Sequence, residues 1–282
     1  MQIPDNVRVS DIRPDERSGV IHPANLTRFA ARWLDPAPAV AAVVDRYWHT
    51  RWALADGEVI GQRILTLPAV TLSIEAGDVP AGLVLTGVHR RAWCRDIQGT
   101  GDVFALRLRP AGLVLLGATT LTGCADATLP VEDPGTIALL EAVADGASPD
   151  ERAGLADAAI GQWLAAVQLD DELLLANAVL DALTARVRTR TGPGLAAELG
   201  VSERAVQRAM RRTLGQGPKW VARWIRLQEL ARALAAQPEP DLAALAVELG
   251  YTDQAHLTRD FATAVGTTPG AYARSLRRLA GG

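Results

Sequence analysis

The chain has 282 residues, which suffices for two domains, and 49% of them are hydrophobic, which suffices for sizeable cores. Its net charge of −3 hides an uneven distribution, because the residues from Arg186 onward carry a net charge of +7 and the first 185 carry −10. A basic carboxyl half behind an acidic amino half indicates that only the carboxyl half meets a polyanion.

Cysteine usage and hydropathy indicate the cellular compartment in which the protein acts. The two cysteines, Cys94 and Cys124, form neither a disulfide framework nor a CxxC pair. The first thirty residues lack the apolar run of a signal peptide, and the most apolar stretch, residues 111–122, is about half as long as a membrane helix requires. The sequence therefore predicts a soluble, reduced, cytoplasmic protein without a membrane partner.

The amino half has the pattern of short strands. After a short helix predicted over residues 23–33, strands are predicted over residues 43–52, 65–68, 70–75, 83–88, 93–97 and 103–109. Turn signals such as Asp56-Gly57 and Gly77-Asp78 lie between them. Many short strands at this spacing are typical of a small β-barrel or sandwich.

Helical patterns begin near Pro134. Helices are predicted over residues 136–144, from Ser148 towards Val167, and from Glu172 to about Arg188 with Asp170 as its cap. The predicted fold class is α+β, with a β-rich domain at residues 1–133, a helical linker at residues 134–169 and an all-α domain at residues 170–282. No Gly/Ser linker marks the last boundary, so the two domains are expected to be joined semi-rigidly.

The all-α region contains an internal repeat. The sequence of residues 195–200 (LAAELG) recurs fifty places later at residues 245–250 (LAVELG), and past the glycine the match continues with an offset of fifty-one. Each copy is a short apolar helix, a glycine, a capping residue and a second helix. This order is typical of a helix-turn-helix motif, used twice at about residues 195–214 and 245–265.

In the first copy, Gly200 permits the sharp turn and Ser202 caps the second helix. On a helical wheel the inner stripe is Val206, Met210 and Leu214. The opposite arc carries four arginines, Arg204, Arg208, Arg211 and Arg212. Guanidinium groups on an outer helix face suit a groove lined by phosphates and base edges.

In the second copy, the inner stripe is Leu257, Phe261 and Val265, and the cap is Asp253, with Thr252 as its rival. Arg259 occupies the place of Arg208 and points outward. This helix is less basic than its counterpart, so we expect it to make fewer strong contacts.

The repeat region resembles the DNA-binding domain of the AraC/XylS transcription regulators. The resemblance lies in residues 200–208 (GVSERAVQR), 217–220 (GPKW), 226–227 (RL), 249–261 (LGYTDQAHLTRDF) and 268–269 (TP). It implies seven helices, with two recognition helices joined by a long rigid one and inserted into successive major grooves. The residues expected to bind DNA are Arg204, Gln207, Arg208, Arg211, Gln254, His256, Thr258 and Arg259. Ala255 departs from the polar residue of some relatives, so hydrogen-bonded readout at that step is in doubt.

Phosphate contacts are expected from Ser202, Lys219 and Arg226, because helix amino ends and basic side chains both attract phosphate. For Arg226 an alternative is equally open. An arginine among apolar residues could instead anchor an acid such as Glu198.

The amino half resembles a poorly characterised domain found ahead of AraC-type DNA-binding domains, through residues 46–48 (RYW), 65–74 and 103–112. That resemblance implies a sensing or dimerisation domain and names no ligand. Trp48, Trp52 and Trp93 could line an apolar pocket in which Arg51 or Arg107 orients an anion; alternatively these aromatic residues are core. His89 and Cys94 are the pair with which a metal sensor would begin, but no ligand pair has metal-binding spacing, so no metal or cofactor is expected.

Together these features predict a sequence-specific, ligand-responsive transcription regulator rather than an enzyme, since GxSxG, HExxH and phosphate-loop motifs are absent from the sequence. The expected partners are double-stranded DNA, RNA polymerase, a small-molecule effector of unknown identity and a second copy of the chain. The rival interpretation is a small-molecule-binding protein or enzyme whose helical half serves only association. A regulator without any ligand is the third.

Overall fold

The structure is a computed structural model that describes residues 19–117, 121, 123–188, 194–237 and 239–280. Residues 1–18 of the predicted amino-terminal domain lie outside the described residues. Within the described ranges the chain begins with strands and ends with helices, as expected for an α+β protein.

Eight strands form two antiparallel sheets in the described part of the chain. The strands are β1 (Phe29–Leu34), β2 (Val44–Ala53), β3 (Val59–Ile64), β4 (Thr71–Gly77), β5 (Leu83–Thr86), β6 (Trp93–Gln98), β7 (Thr100–Leu108) and β8 (Thr128–Pro130). The larger sheet has the order β1-β2-β7-β4-β5-β8, and β3 pairs with β6 in the smaller one. The two sheets share a core in which Ile60 and Ile97 pack with Phe29, Trp52 and Val103.

The two sheets form an open sandwich. In the large sheet β1 and β8 lie at opposite edges, and among the described strands no pairing joins them. Of the two predicted architectures, barrel or sandwich, the structure therefore has the sandwich.

Nine α-helices follow in the described ranges. They are α1 (Pro134–Ala144), α2 (Pro149–Ala166), α3 (Asp171–Ala185), α4 (Leu195–Glu198), α5 (Glu203–Leu214), α6 (Pro218–Ala236), α7 (Leu242–Glu248), α8 (Gln254–Val265) and α9 (Pro269–Ala280). Ser148 caps α2 by accepting from the Glu151 amide, and Asp170 caps α3 by accepting from the Leu173 amide, as predicted. From α3 onward the described residues contain seven helices, the number that the resemblance implies.

Two predicted elements were wrong and one strand was missed. Residues 23–33 are not one helix but a 3-10 helix, Pro23–Arg28, followed by β1. The strand predicted over residues 65–68 lies earlier, as β3, because the backbone carbonyls of Leu65 and Thr66 accept hydrogen bonds from α6 instead of a strand. The short strand β8 carries no apolar alternation and was not predicted.

Two hydrophobic clusters join the halves of the chain. One runs from the large sheet, through Leu106 and Leu108, to Leu173 and Val179 of α3 and to Met210 of α5. The other unites the cores of α6 to α9 with Ile21, Leu65 and Ala92 of the amino half. The boundary predicted near residue 169 therefore lies within a continuous core. No helix among the described residues is both long enough and apolar enough to cross a membrane.

Candidate nucleic-acid interface and cavity

Both helix-turn-helix turns have the predicted backbone. Gly200 and Gly250 adopt φ angles of +66° and +75°, the left-handed region that favours glycine. The Ser202 hydroxyl then accepts a hydrogen bond from the Ala205 amide at 3.1 Å, and the Asp253 carboxylate accepts one from the His256 amide at 2.6 Å. The cap of the second copy is Asp253 and not its rival Thr252.

The inner and outer faces of α5 and α8 also agree with the predicted stripes. The side chains predicted to face inward are fully or almost fully buried: Val206, Met210, Leu214, Leu257, Phe261 and Val265. The outward arginines Arg204, Arg208, Arg211 and Arg259 are exposed, and Arg212 is half-buried. Each second helix therefore has an apolar side fixed in the fold and a polar side that remains accessible.

Acidic residues of α3 and its cap partly neutralise the outer face of α5. The Arg208 Nε donates to Glu172 at 2.9 Å, and Arg212 pairs with Asp170 at 2.8 Å. Among the residues that the structure describes, Arg204, Arg211 and Arg259 form no salt bridge. Among the arginines predicted to contact bases, Arg208 therefore differs from Arg204 and Arg259, because Glu172 already binds its side chain.

The other predicted DNA-binding residues lie in the first turns of the same helices. Gln254 and His256 are exposed at the start of α8, whereas Gln207 and Thr258 are half-buried. The His256 ring lies edge-on against Tyr251, with ring centroids 5.3 Å apart. This contact holds the imidazole close to the turn.

Two of the predicted phosphate contacts have different surroundings. Lys219 is exposed in the first turn of α6. The Arg226 guanidinium instead lies over the Tyr251 ring, 5.4 Å from its centroid, and its Nε is buried without an acceptor among the described residues. The alternative pairing of Arg226 with Glu198 is wrong, because Glu198 forms a salt bridge with Arg186.

A polar cluster that no sequence pattern predicts joins α8 to α6. Asp260 accepts hydrogen bonds from Arg223 at 2.7 Å and from the Tyr251 hydroxyl at 3.0 Å. Burial and the negative charge of Asp260 raise the pKa of Tyr251. Arg223 therefore anchors the second motif to α6.

Helix α6 connects both motifs to the amino half. Trp220 and Trp224 stack with ring centroids 4.9 Å apart. The Trp224 Nε1 donates to the Thr66 carbonyl at 2.6 Å, and the Gln228 amide donates to the Leu65 carbonyl. These two hydrogen bonds attach the loop after β3 to α6, the helix between the two helix-turn-helix motifs.

A cavity of about 430 Å³ lies between the two sheets and reaches α6. Trp48 and Trp52 of β2 and Trp93 of β6 line it, as predicted, together with Trp33 of β1. Gln228 and Arg232 of α6 complete its wall. This volume is within the range of small-molecule sites.

The prediction that Arg51 orients an anion in this cavity is wrong. Successive strand residues point to opposite faces, so Trp48 and Trp52 of β2 face the cavity and Arg51 faces away from it. There its Nε donates to Asp102 at 3.1 Å. The open alternative, Arg107, does line the cavity, as do Arg46 and Arg95, which the sequence did not identify.

The residues considered for a metal sensor do not converge. Among the residues that the structure describes, no group of three or more His, Cys, Asp and Glu side chains could hold a metal ion. The Cys94 thiol donates to the Ala92 carbonyl, and burial lowers the pKa of His89.

Comparison with known proteins assigns both halves. Residues 195–275 match the family of the helix-turn-helix domain, and residues 32–130 match a domain of unknown function (DUF6597). No curated protein matches the chain.

Among solved structures, several of ToxT from Vibrio cholerae are similar to this chain. The P21 crystal form has 9% identity and a TM-score of 0.44, covering 88% of this chain and 98% of ToxT. ToxT bound to (E)-4-(8-methylnaphthalen-1-yl)but-3-enoic acid has 10% identity and a TM-score of 0.44, covering 88% and 99%. Unsaturated fatty acid bound wild-type ToxT has 11% identity and a TM-score of 0.38, covering 88% and 95%.

The two domain families occupy the same parts of the chain as the two resemblances in the sequence. The sandwich contains the residues of the DUF6597 match, and α4 to α9 contain those of the helix-turn-helix match. The chain therefore combines a region similar to the helix-turn-helix domain family at residues 195–275 with a region similar to the DUF6597 family at residues 32–130.

Proposed function

We propose that this protein is a sequence-specific transcription regulator that inserts α5 and α8 into successive major-groove segments of a promoter. The observation that carries the proposal is the pair of matching motifs, each with a buried stripe and an exposed polar face with an arginine at the same place. A chance packing motif would not require both outer faces to stay free of the core.

The spacing of the motifs supports simultaneous binding. Helix α6 has 19 residues and joins the two motifs, so at 1.5 Å per residue it extends about 28 Å. Two half-sites on one face of DNA are separated by about 34 Å, one helical turn. A helix of that length is a suitable rigid spacer.

The contacts that we propose follow from donor chemistry. Arg204, Arg208 and Arg259 read guanine edges, for which a guanidinium offers two parallel donors. Gln207, Gln254 and Thr258 supply neutral hydrogen bonds, and Arg211 and His256 extend the two faces. Ser202 and Lys219 contact phosphates from helix amino ends, and Arg226 supports them from its place over Tyr251.

The regulatory part of the proposal rests on the cavity. Because α6 borders it, a small molecule between the sheets contacts the helix that spaces the two recognition helices. Contact of the DNA-bound protein with RNA polymerase then completes a regulator. We propose that this protein acts in the cytoplasm as a binding protein and not as an enzyme.

Salt-dependent binding of the full chain to random-sequence duplex DNA tests the proposal. Binding through several phosphates predicts that the affinity falls by decades between about 50 and 200 mM salt. The double variant Arg208→Gln, Arg211→Gln should bind more weakly with a shallower salt dependence, and Arg91→Gln, an exposed arginine of the amino half, should behave as the wild type. No binding at low salt would overturn the proposal and favour a small-molecule-binding protein.

A further inference from the structure

We infer that the cavity binds an amphipathic organic anion, with a flat apolar body between the sheets and an acidic group at the end nearest α6. The inference deepens the proposed ligand response and rests on it for its regulatory part. Three features of the cavity carry it: an aromatic interior, an internal acid that is already satisfied and a cluster of arginines at one end.

The interior suits a flat apolar body. Trp33 and Trp48 are directly opposite each other on β1 and β2, on the face that lines the cavity. Trp52, Trp93 and Ala105 extend the same lining. Large aromatic surfaces around a space of about 430 Å³ favour a ligand that stacks and excludes water.

The one carboxylate in the lining is not available to a cationic ligand. Glu75 accepts from the Ser73 hydroxyl at 3.0 Å with one oxygen and from Arg95 at 2.8 Å with the other. Its side chain is only 6% exposed. Glu75 and Arg95 pair with each other within the cavity wall. Glu75 therefore does not attract a cationic ligand, and Arg95 is not free to bind an anionic one.

The arginines at the other end are arranged for an anion. Arg46 of β2 and Arg107 of β7 are register partners, and both face the cavity. Like charges directly opposite each other on neighbouring strands repel. Each is held by an exposed acid, Arg46 by Asp35 at 3.1 Å and Arg107 by Asp45 at 2.5 Å. A ligand carboxylate between the two guanidinium groups would offset the repulsion.

This arginine end is also the end that α6 closes. Arg107 is the register partner of Thr71 at the start of β4, and the loop before Thr71 accepts the hydrogen bonds of α6. Arg232 lies one helical turn after Gln228, and both line the cavity. One Arg232 nitrogen donates to Glu229 of the same helix at 2.6 Å, but unlike Arg95 the Arg232 side chain stays 52% exposed. The acidic group of the ligand would therefore meet Arg232 on the helix that joins the reading units.

A pair of fluorescent probes tests the ligand class with the full chain. The anion 1-anilinonaphthalene-8-sulfonate and the neutral N-phenyl-1-naphthylamine share the same rings and differ by the acidic group. We expect one anion per chain, bound about tenfold or more tightly than the neutral probe, because a hydrogen-bonded charge adds that much. Fluorescence titration and quenching of tryptophan emission report the binding.

Two variants locate the anion. Arg46→Gln and Arg107→Gln should each weaken binding of the anionic probe about tenfold and leave the neutral probe unchanged. Arg91→Gln, exposed and outside the cavity lining, should change neither. Urea unfolding of each variant confirms that it is folded. Equal binding of both probes, or an anion preference that survives both substitutions, would overturn the assignment.

The regulatory part has its own measurement. A saturating anionic probe should change the affinity for duplex DNA at least about threefold, and DNA should change the probe affinity by the same factor. Arg232→Gln should abolish that coupling. Unchanged DNA affinity with the probe bound would overturn the coupling. DNA binding without probe binding would overturn this inference and leave the proposed function intact. Probe binding without DNA binding would overturn the proposed function and leave the assigned ligand class intact.

Discussion

The Trp224 indole N–H donates a hydrogen bond to the backbone carbonyl of Thr66 at 2.6 Å. This bond joins α6, the helix between the two helix-turn-helix motifs, to the loop at the end of the cavity. Gln228, one turn later, binds the adjacent Leu65 carbonyl. Because both carbonyls belong to the amino half, a shift of that loop must move α6 or break these bonds. This is the physical connection between ligand site and DNA-binding unit in our account.

Trp224→Phe tests the strength of that connection. The substitution leaves the Thr66 carbonyl without its donor and reduces the volume of a fully buried ring, so we expect a loss of about 2 kcal/mol in the free energy of unfolding. Urea unfolding measures it. Trp163→Phe, at a half-buried position of α2, should cost clearly less. An equal loss of unfolding free energy at both positions would show that the Trp224–Thr66 hydrogen bond adds no stability beyond that of ordinary packing.

Glu172→Gln should raise the affinity for DNA. Arg208 must leave Glu172 before it can contact a base, and an exposed ion pair is worth about 0.2 to 1 kcal/mol. We therefore expect an increase in affinity of about 1.4- to fivefold, measured by fluorescence anisotropy of a labelled duplex. Asp171→Asn removes the same charge from the same helical turn without touching Arg208. If both variants gain equally, general charge repulsion and not the ion pair explains the increase.

The cap of α8 can be tested at a single residue. Asp253→Ala removes the acceptor of the His256 amide and should cost about 1 kcal/mol in the free energy of unfolding, whereas Asp253→Asn retains an acceptor and should cost less. Thr252→Ala should leave stability almost unchanged. Thermal or urea unfolding would contradict this assignment if Thr252→Ala were the more harmful change.

Asp102 links β7 to α2 and should make stability depend on pH. Burial alone raises the pKa of this carboxyl, but hydrogen bonds from His49 at 2.9 Å and from Arg152 at 2.8 Å outweigh it, so its pKa lies well below the usual range. A depressed pKa contributes stability above the unfolded value, about 3.9, which is lost as the pH falls towards the folded value.

Asp102→Asn should therefore lower the free energy of unfolding at pH 7 by about 2 kcal/mol and flatten its decline below about pH 4. Urea unfolding at pH 7, 5 and 3.5 measures both effects. Asp96→Asn, at an exposed position of β6, serves as the control. A variant whose acid sensitivity equals that of the wild type would show that Asp102 does not contribute to the pH dependence.

Local patterns predicted the helical half well. The repeat, the glycines with positive φ and the caps at Ser202 and Asp253 depend on neighbours within a few residues, so they can be read along the chain. The buried stripe of Val206, Met210 and Leu214 follows from helical periodicity alone.

Features that depend on distant partners could not be predicted. Once Trp48 is known to face the cavity, strand alternation places Arg46 on the same face and Arg51 on the opposite face. The aromatic residues alone do not reveal that the face of Trp48 is the inner one. The pairing of Arg208 with Glu172 and the position of Arg226 over Tyr251 join residues from separate helices. Such contacts depend on packing angles that no local pattern contains.

The central claim is that α5 and α8 read two half-sites of one duplex, and selection of bound sequences from a random duplex pool by the full chain tests it most directly. We predict two blocks of preferred bases with centres about 10.5 base pairs apart. Arg208→Ala should relax the preference in one block and Arg259→Ala in the other, each with a loss of about 1 to 3 kcal/mol. Selection that yields no preferred bases, or a single block that both substitutions leave intact, would contradict it.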